Sequence, residues 1–137
     1  MASENLNEKV SVNINTSTLS AIDLLVDNGY YSNRSDFINQ ALRREVEQQQ
    51  PVIQRIMDQN VRTAPKHHQW FLGLFGLEEG TVREMYLQGK TMTIRGYGVL
   101  NISQRIQPDM LYKVVEHIAV RGRVAAPEEI KRHYGLK

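Results

Sequence analysis

The stretch Lys9-Val10-Ser11-Val12-Asn13-Ile14-Asn15 alternates polar and apolar residues along its whole length. A period of two predicts a short strand with one buried face. Two segments follow in which apolar residues recur at three- and four-residue spacing, which predicts two helices. These apolar residues are Leu19, Ile22, Leu25 and Val26 in the first segment, and Phe37, Ile38, Ala41, Leu42 and Val46 in the second. The pattern therefore predicts strand, helix, turn and helix between residues 9 and 46.

The break between the two helical segments carries the expected punctuation. Gly29 is predicted to end the first helix in the left-handed conformation, because glycine has no Cβ to oppose it. Ser32 is expected to cap the second helix through its hydroxyl, with Ser35 or Asp36 as a further acceptor in the first turn.

The predicted strand has no partner in its own module, and so short a module cannot bury a sufficient core. A second copy meets both needs if the two strands pair antiparallel about a two-fold axis. Val10, Val12 and Ile14 of both copies would then cover the helices, while Lys9, Ser11 and Asn13 would face outward.

These residues resemble a known family. The strand Val10-Ser11-Val12-Asn13-Ile14 and the run from Tyr31 to Arg44, which opens Tyr31-Ser32-Asn33-Arg34-Ser35, are similar to the ribbon-helix-helix DNA-binding family of the MetJ, Arc and CopG type. The resemblance covers the N-terminal third of the chain. It implies an intertwined dimer that inserts a two-stranded ribbon into the major groove of double-stranded DNA.

The same resemblance implies roles for two sets of residues. Outward strand residues read base edges in that family, and by position these are Lys9, Ser11 and Asn13. The start of the second helix contacts phosphate in that family, and the matching residues here are Ser32, Asn33, Arg34 and Ser35. Taken singly, the polar strand face is typical of a solvated sheet and the serine-rich run of an ordinary helix start.

Charge is unevenly distributed. Residues 1 to 50 contain four Lys and Arg against seven Asp and Glu, whereas residues 51 to 137 contain 13 against eight. The overall pI of about 9.0 therefore comes from the second half. The DNA-binding module would depend on a few placed cations and helix ends, unless the basic second half also contacts the DNA backbone.

The composition excludes several classes of protein. The chain has 137 residues, of which 41% are hydrophobic, and contains no cysteine, so disulfides and thiolate chemistry are excluded. No apolar run has the length of a membrane span and Met1 to Glu8 is unlike a signal peptide, so a cytoplasmic protein without membrane contact is expected.

The sequence predicts an α+β protein with four parts. These are a flexible arm at 1–8, a ribbon-helix-helix domain at 9–50, a connecting helix and linker at 51–66, and a small α+β domain at 67–137. Pro51 suits the first position of the connecting helix, whose stripe of Val52, Ile53, Ile56 and Met57 could extend the dimer. Arg62 to Lys66 is predicted to be a loop.

The second domain is predicted to alternate helices and strands. The expected elements are a buried apolar segment at Trp70 to Leu77, a helix at Glu78 to Gln88 with Val82, Met85 and Tyr86 inward, a strand at Met92 to Ile102, a helix at Pro108 to His117, a strand at Ile118 to Arg123, and a helix at Pro127 to Tyr134 ended by Gly135. Ile94-Arg95-Gly96 recurs as Val120-Arg121-Gly122, which indicates two related strand-helix units.

No enzyme site, metal site or cofactor is predicted. Adjacent His67 and His68 point in different directions and form a poor chelate, and Gly96-Tyr97-Gly98 lacks the third glycine of a phosphate loop. The basic residues Arg95, Arg121, Arg123, Lys131 and Arg132 form either a solvated surface or a face for DNA backbone, an acidic partner or a phosphorylated ligand.

The sequence thus predicts a homodimeric, site-specific transcriptional regulator, with a tetramer or larger assembly left open. The second domain would set the oligomeric state, receive a signal or bind a protein partner. Two alternatives remain: an antitoxin of a toxin-antitoxin pair, and a protein-interaction scaffold whose ribbon has lost DNA contact.

Overall fold

A computed structural model describes residues 7–64 and 67–137. In this part of the chain there are six helices and three strands, α1 (Thr16–Asp27), α2 (Arg34–Gln48), α3 (Gln50–Thr63), β1 (His68–Leu77), α4 (Glu79–Leu87), β2 (Met92–Ile102), α5 (Pro108–Val114), β3 (Val115–Ala125) and α6 (Glu128–Tyr134). The chain divides into two compact units, Met1–Gln54 and Arg55–Lys137. The fold is α+β.

The first unit holds α1, α2 and the start of α3. Gln49 ends α2, and α3 begins at the next residue with Pro51 in its first turn, where a missing amide hydrogen costs nothing. Arg62 and Thr63 belong to α3 rather than to the predicted loop, whose last two residues lie outside the described residues. Of the predicted arm, residues 1–6 also lie outside them.

The second unit is a parallel sheet in the order β1-β2-β3. The strands are parallel because α4 and α5 each return the chain before the next strand starts. One sheet face and the helices form the core, in which Leu77, Ile94, Leu100, Val82, Leu111 and Ile130 are almost completely buried. This unit therefore has a core of its own.

Three glycines cross the sheet at one level. Gly73, Gly98 and Gly122 are partners in the strand register and all have positive φ, between 103° and 144°. A Cβ on Gly98 would lie 2.0 Å from the carbonyl oxygen of Gly73, and a Cβ on Gly122 would lie 2.0 Å from that of Gly98. We call these residues the glycine column; only glycine fits the last two positions.

The glycine column shows how the two predicted strand-helix units, β2 with α5 and β3 with α6, are aligned. Arg121 lies beside Tyr97 and not beside Arg95, because the register joins Gly98 to Gly122 and Gly96 to Val120. The resemblance of Ile94-Arg95-Gly96 to Val120-Arg121-Gly122 is thus two residues out of register.

Three predictions in this unit were wrong in part. The helix from Pro108 ends at Val114, because Val115 already pairs with Met92 and begins β3. The segment from Trp70 to Leu77 is an edge strand in which Leu72 and Leu74 are exposed, and Tyr86 is also exposed on α4. The strand Met92–Ile102 and the left-handed Gly135 after α6 are confirmed.

Candidate nucleic-acid interface

The segment before α1 carries the predicted base-reading residues. Lys9, Ser11 and Asn13 are all exposed, and so are the alternating apolar residues, with Val10 at 76% and Val12 at 72%. Residues 7–15 form no hydrogen-bonded strand in the single chain. All strands among the described residues lie between residues 68 and 125. The predicted strand therefore has no partner among the described residues of its own chain.

The turn between α1 and α2 forms as predicted. Gly29 has a φ of 83°, its amide donates to the carbonyl of Val26 at 3.0 Å, and the Tyr30 amide donates to that of Leu25 at 3.0 Å. This pair of hydrogen bonds is the Schellman motif, which satisfies carbonyls at a helix end. The turn fixes where α2 begins.

The cap of α2 is Asn33 and not the predicted Ser32. The Asn33 Oδ1 accepts the Asp36 amide at 2.8 Å, so the helix starts at Arg34 and leaves Ser32 one residue outside the cap. The other acceptor was predicted correctly, since the Asp36 carboxylate accepts the Ser32 amide at 3.0 Å. This hydrogen bond, together with one from Gln40, lowers the pKa of Asp36.

The first turn of α2 presents amide donors to solvent. Within the described residues the backbone amides of Arg34 and Ser35 have no hydrogen-bond acceptor, because α2 makes its first backbone bond from Phe37 to Asn33. Free amides at the positive end of a helix attract an anion such as a phosphate. Ser32, Asn33, Arg34 and Ser35 thus lie together at one exposed helix start.

Arg34 makes a contact that the sequence did not reveal. Its Nε and Nη2 donate to the two carboxylate oxygens of Asp23 on α1, at 2.7 and 2.8 Å. The Arg34 hydrogen bond lowers the pKa of Asp23. The pair joins α1 to α2, and it offsets the positive charge that was predicted to contact phosphate. Because the two residues lie on different helices joined by the turn at Gly29, no spacing within one helix or strand indicated the contact.

The first unit exposes most of its apolar residues. Ile22 is its one buried apolar residue among those described, whereas Leu24, Leu42, Val46 and Val52 are exposed and α2 has no buried residue. An edge-to-face contact between Tyr31 and Phe37, 4.9 Å apart, packs the turn against α2. A single copy of the first unit therefore leaves much of its apolar surface exposed to solvent.

Neither a cluster of metal ligands nor a membrane-spanning helix occurs among the described residues. No group of three or more His, Asp or Glu residues there could hold a metal ion. None of the helices in residues 7–64 and 67–137 has the length and hydropathy needed to cross a membrane.

Comparison with known proteins identifies one family model that matches the chain. Its description is Ribbon-Helix-Helix transcriptional regulator family, and the match runs from residue 5 to residue 131. It extends far beyond the N-terminal third in which the sequence resemblance lies. No curated protein and no solved structure matches the chain.

Proposed function

Because this chain belongs to the ribbon-helix-helix transcriptional regulator family, we propose that it binds double-stranded DNA site-specifically as a homodimer. The N-terminal strands of two copies would pair and enter the major groove as a ribbon. The protein would act in the cytoplasm, as a repressor that occupies its operator, and without enzymatic activity.

One observation carries the dimer. Val10 and Val12 are exposed in a unit whose described residues include a single buried apolar side chain, Ile22. Covering this surface with a second copy would bury both valines and pair the strand edges at once. The alternation of these valines with Lys9, Ser11 and Asn13 would then turn the three polar side chains outward.

The outward residues have the chemistry for base reading. Asn13 can form two hydrogen bonds with the N6 and N7 edge of adenine, Lys9 can donate to guanine, and Ser11 can serve several bases. The free amides of Arg34 and Ser35, with the hydroxyls of Ser32 and Ser35 and the Asn33 side chain, would position the dimer at phosphates. With its charge offset by Asp23, Arg34 would contribute mainly through its backbone amide.

The second unit would set the oligomeric state, respond to a signal or bind a protein partner, and dimers could pair into tetramers. An antitoxin is less well supported, since residues 68–134 contain a packed core rather than a polar tail that folds on its partner. A protein-interaction scaffold is favoured by one observation, the Asp23 carboxylate on the arginine at the expected phosphate site.

Selection of bound sequences from a random DNA pool tests the proposal. The full-length protein should enrich a repeated motif, and changing Lys9, Ser11 and Asn13 together to alanine should abolish it. Asn13→Ala alone should weaken binding to the selected site by about 1 to 3 kcal/mol, the value of one specific base contact.

Asn39→Ala is the matched control, since Asn39 is an exposed asparagine of α2 away from the ribbon. It should leave DNA affinity unchanged. If the wild-type protein enriches no sequence at low salt, DNA binding is rejected and the scaffold function is favoured.

A further inference from the structure

One face of the parallel sheet is not covered by α4, α5 or α6. Strand register places Trp70, Arg95 and Ala119 side by side across β1, β2 and β3, and places Leu72, Tyr97 and Arg121 in the next row. These residues alternate with the buried Phe71, Ile94 and Ile118, so they lie on the opposite face from the core. Parallel sheets normally have both faces covered.

A groove of about 470 Å³ lies on this face. We call it the arginine groove; its lining includes Asn60, Trp70, Arg95, Tyr97, Ala119 and Arg121. Ala119 is short and stands beside two long arginines, which leaves the hollow between them. The rings of Trp70 and Tyr97, with centroids 6.3 Å apart, form an aromatic wall. The volume is in the range of small-ligand sites.

The charges of the groove are not balanced. Arg95 and Arg121 are diagonal neighbours on β2 and β3, and neither guanidinium group makes a hydrogen bond or ion pair with any described residue. No carboxylate is among the described residues that line the groove. Elsewhere in the chain Arg34 and Arg83 each pair with a carboxylate. Two adjacent guanidinium groups without a counter-ion attract an anion and favour planar, two-oxygen groups.

The Asn60 side chain can accept a hydrogen bond from a ligand in the groove. The Asn60 side-chain amide donates to the carbonyl of Ile56 at 2.9 Å, which leaves its Oδ1 oxygen as an acceptor. Trp70 and Tyr97 offer apolar ring surface to a flat molecule. A second copy packed with the same face about a two-fold axis is a poor occupant, because it would bring its own arginines against this face.

We propose that the arginine groove binds a small anion that carries a planar ring, with its carboxylate or phosphate on Arg95 and Arg121 and its ring against Trp70 and Tyr97. The ligand would be an effector of the regulator, and this role rests on the proposed function. Binding itself does not rest on DNA recognition and can be measured without DNA.

Trp70 provides the readout, since it is the one tryptophan of the sequence. The full-length protein is titrated with adenosine 5′-monophosphate and with benzoate, and tryptophan emission is followed. At least one of these anions should change the emission saturably with a Kd below about 1 mM. Their neutral counterparts adenosine and benzamide, and the ringless phosphate and acetate, should bind at least about tenfold more weakly, because each lacks the charge or the ring. Phosphate and carboxylate ligands are told apart by which anion binds.

Two variants test the residues. Arg95→Gln combined with Arg121→Gln should weaken binding at least about tenfold, while Arg105→Gln, which removes an exposed arginine outside the groove, should not change it. The proposal is overturned if neither ring anion binds, if the double variant binds as tightly as the wild type, or if Arg105→Gln weakens binding equally. It is also overturned if a short single-stranded oligonucleotide binds through Arg95 and Arg121 while both small anions do not. If the wild-type protein binds the ligand but binds no DNA, the proposed function is rejected and the ligand proposal is not.

Discussion

Asp23 restrains the one arginine at the predicted phosphate site. Since its carboxylate holds Arg34 through two hydrogen bonds, Asp23→Asn should release the guanidinium for a phosphate. DNA affinity should rise, and the dependence of log K on log salt should steepen by about one unit, the contribution of one further phosphate contact. Fluorescence anisotropy of a labelled operator at several salt concentrations measures both.

Asp27→Asn is the matched control for this charge change. Asp27 is an exposed carboxylate on the same helix, and it has no hydrogen bond or ion pair with the described residues. It should raise affinity only through the general loss of negative charge. Equal effects of the two variants would mean that Arg34 stays unavailable to DNA even without its partner.

At the scale of elements, Tyr134 joins α6 to the sheet. Its hydroxyl donates to the carbonyl of Val115 at 2.7 Å, and the carbonyl of Leu111 lies 3.3 Å away. Tyr134→Phe leaves these acceptors without this donor and should lower the free energy of unfolding by about 1 kcal/mol. Tyr86→Phe, on the exposed face of α4, should change it little. Urea unfolding followed by tryptophan fluorescence measures both values.

The same hydroxyl predicts a dependence on pH. Burial, and to a smaller extent Tyr112, raises the pKa of Tyr134 above the usual value for tyrosine. A raised pKa stabilises the fold below about pH 10, and this stabilisation declines as the pH rises above that value towards the folded-state pKa. The wild type should therefore lose more stability than Tyr134→Phe between about pH 9 and 11. Parallel losses would show that another group titrates.

Elements with strong local signals could be predicted from the sequence. The turn at Gly29 and the end of α6 at Gly135 each need a residue in the left-handed conformation. A glycine after a helical pattern predicts that conformation from the local sequence alone. The strand Met92–Ile102 could also be predicted from local signals, because its apolar and β-branched residues favour a strand.

Features that depend on distant residues could not be predicted. Val115 continues the helical pattern of α5, and only its pairing with Met92 makes it a strand residue. The pairing of Arg34 with Asp23 and the meeting of Arg95 with Arg121 follow from the turn and from the strand register, neither of which leaves a repeat in the sequence. In the candidate interface, residue types were predictable but the Asn33 cap and the Asp23 contact were not.

The whole molecule combines two units with very different cores. Among the described residues, the second unit buries fourteen apolar residues in one cluster, whereas Ile22 is the single buried apolar residue of the first. A unit completed by a second copy is stabilised by mass action. On dilution by about a hundredfold, helix unfolding of the first unit should therefore shift to lower temperature while the second unit is unaffected.

Two signals separate the units in this experiment. Trp70 lies in the second unit and reports its unfolding alone, while circular dichroism follows the helices of both. The early phase of the circular dichroism curve should depend on concentration and the tryptophan curve should not. A helix signal that is independent of concentration would contradict dimerisation through the first unit.

The glycine column also disfavours misalignment of β3 against β2. A slip of β3 by two residues would keep every side chain on its proper face, so the hydrophobic pattern alone does not oppose it. Such a slip would bring Val120 or Val124 to the place of Gly122, where a Cβ would lie 2.0 Å from the Gly98 carbonyl oxygen. Steric clash with the backbone thus excludes a strand register that the burial of side chains alone would allow. The glycine column therefore favours the native alignment of β2 and β3.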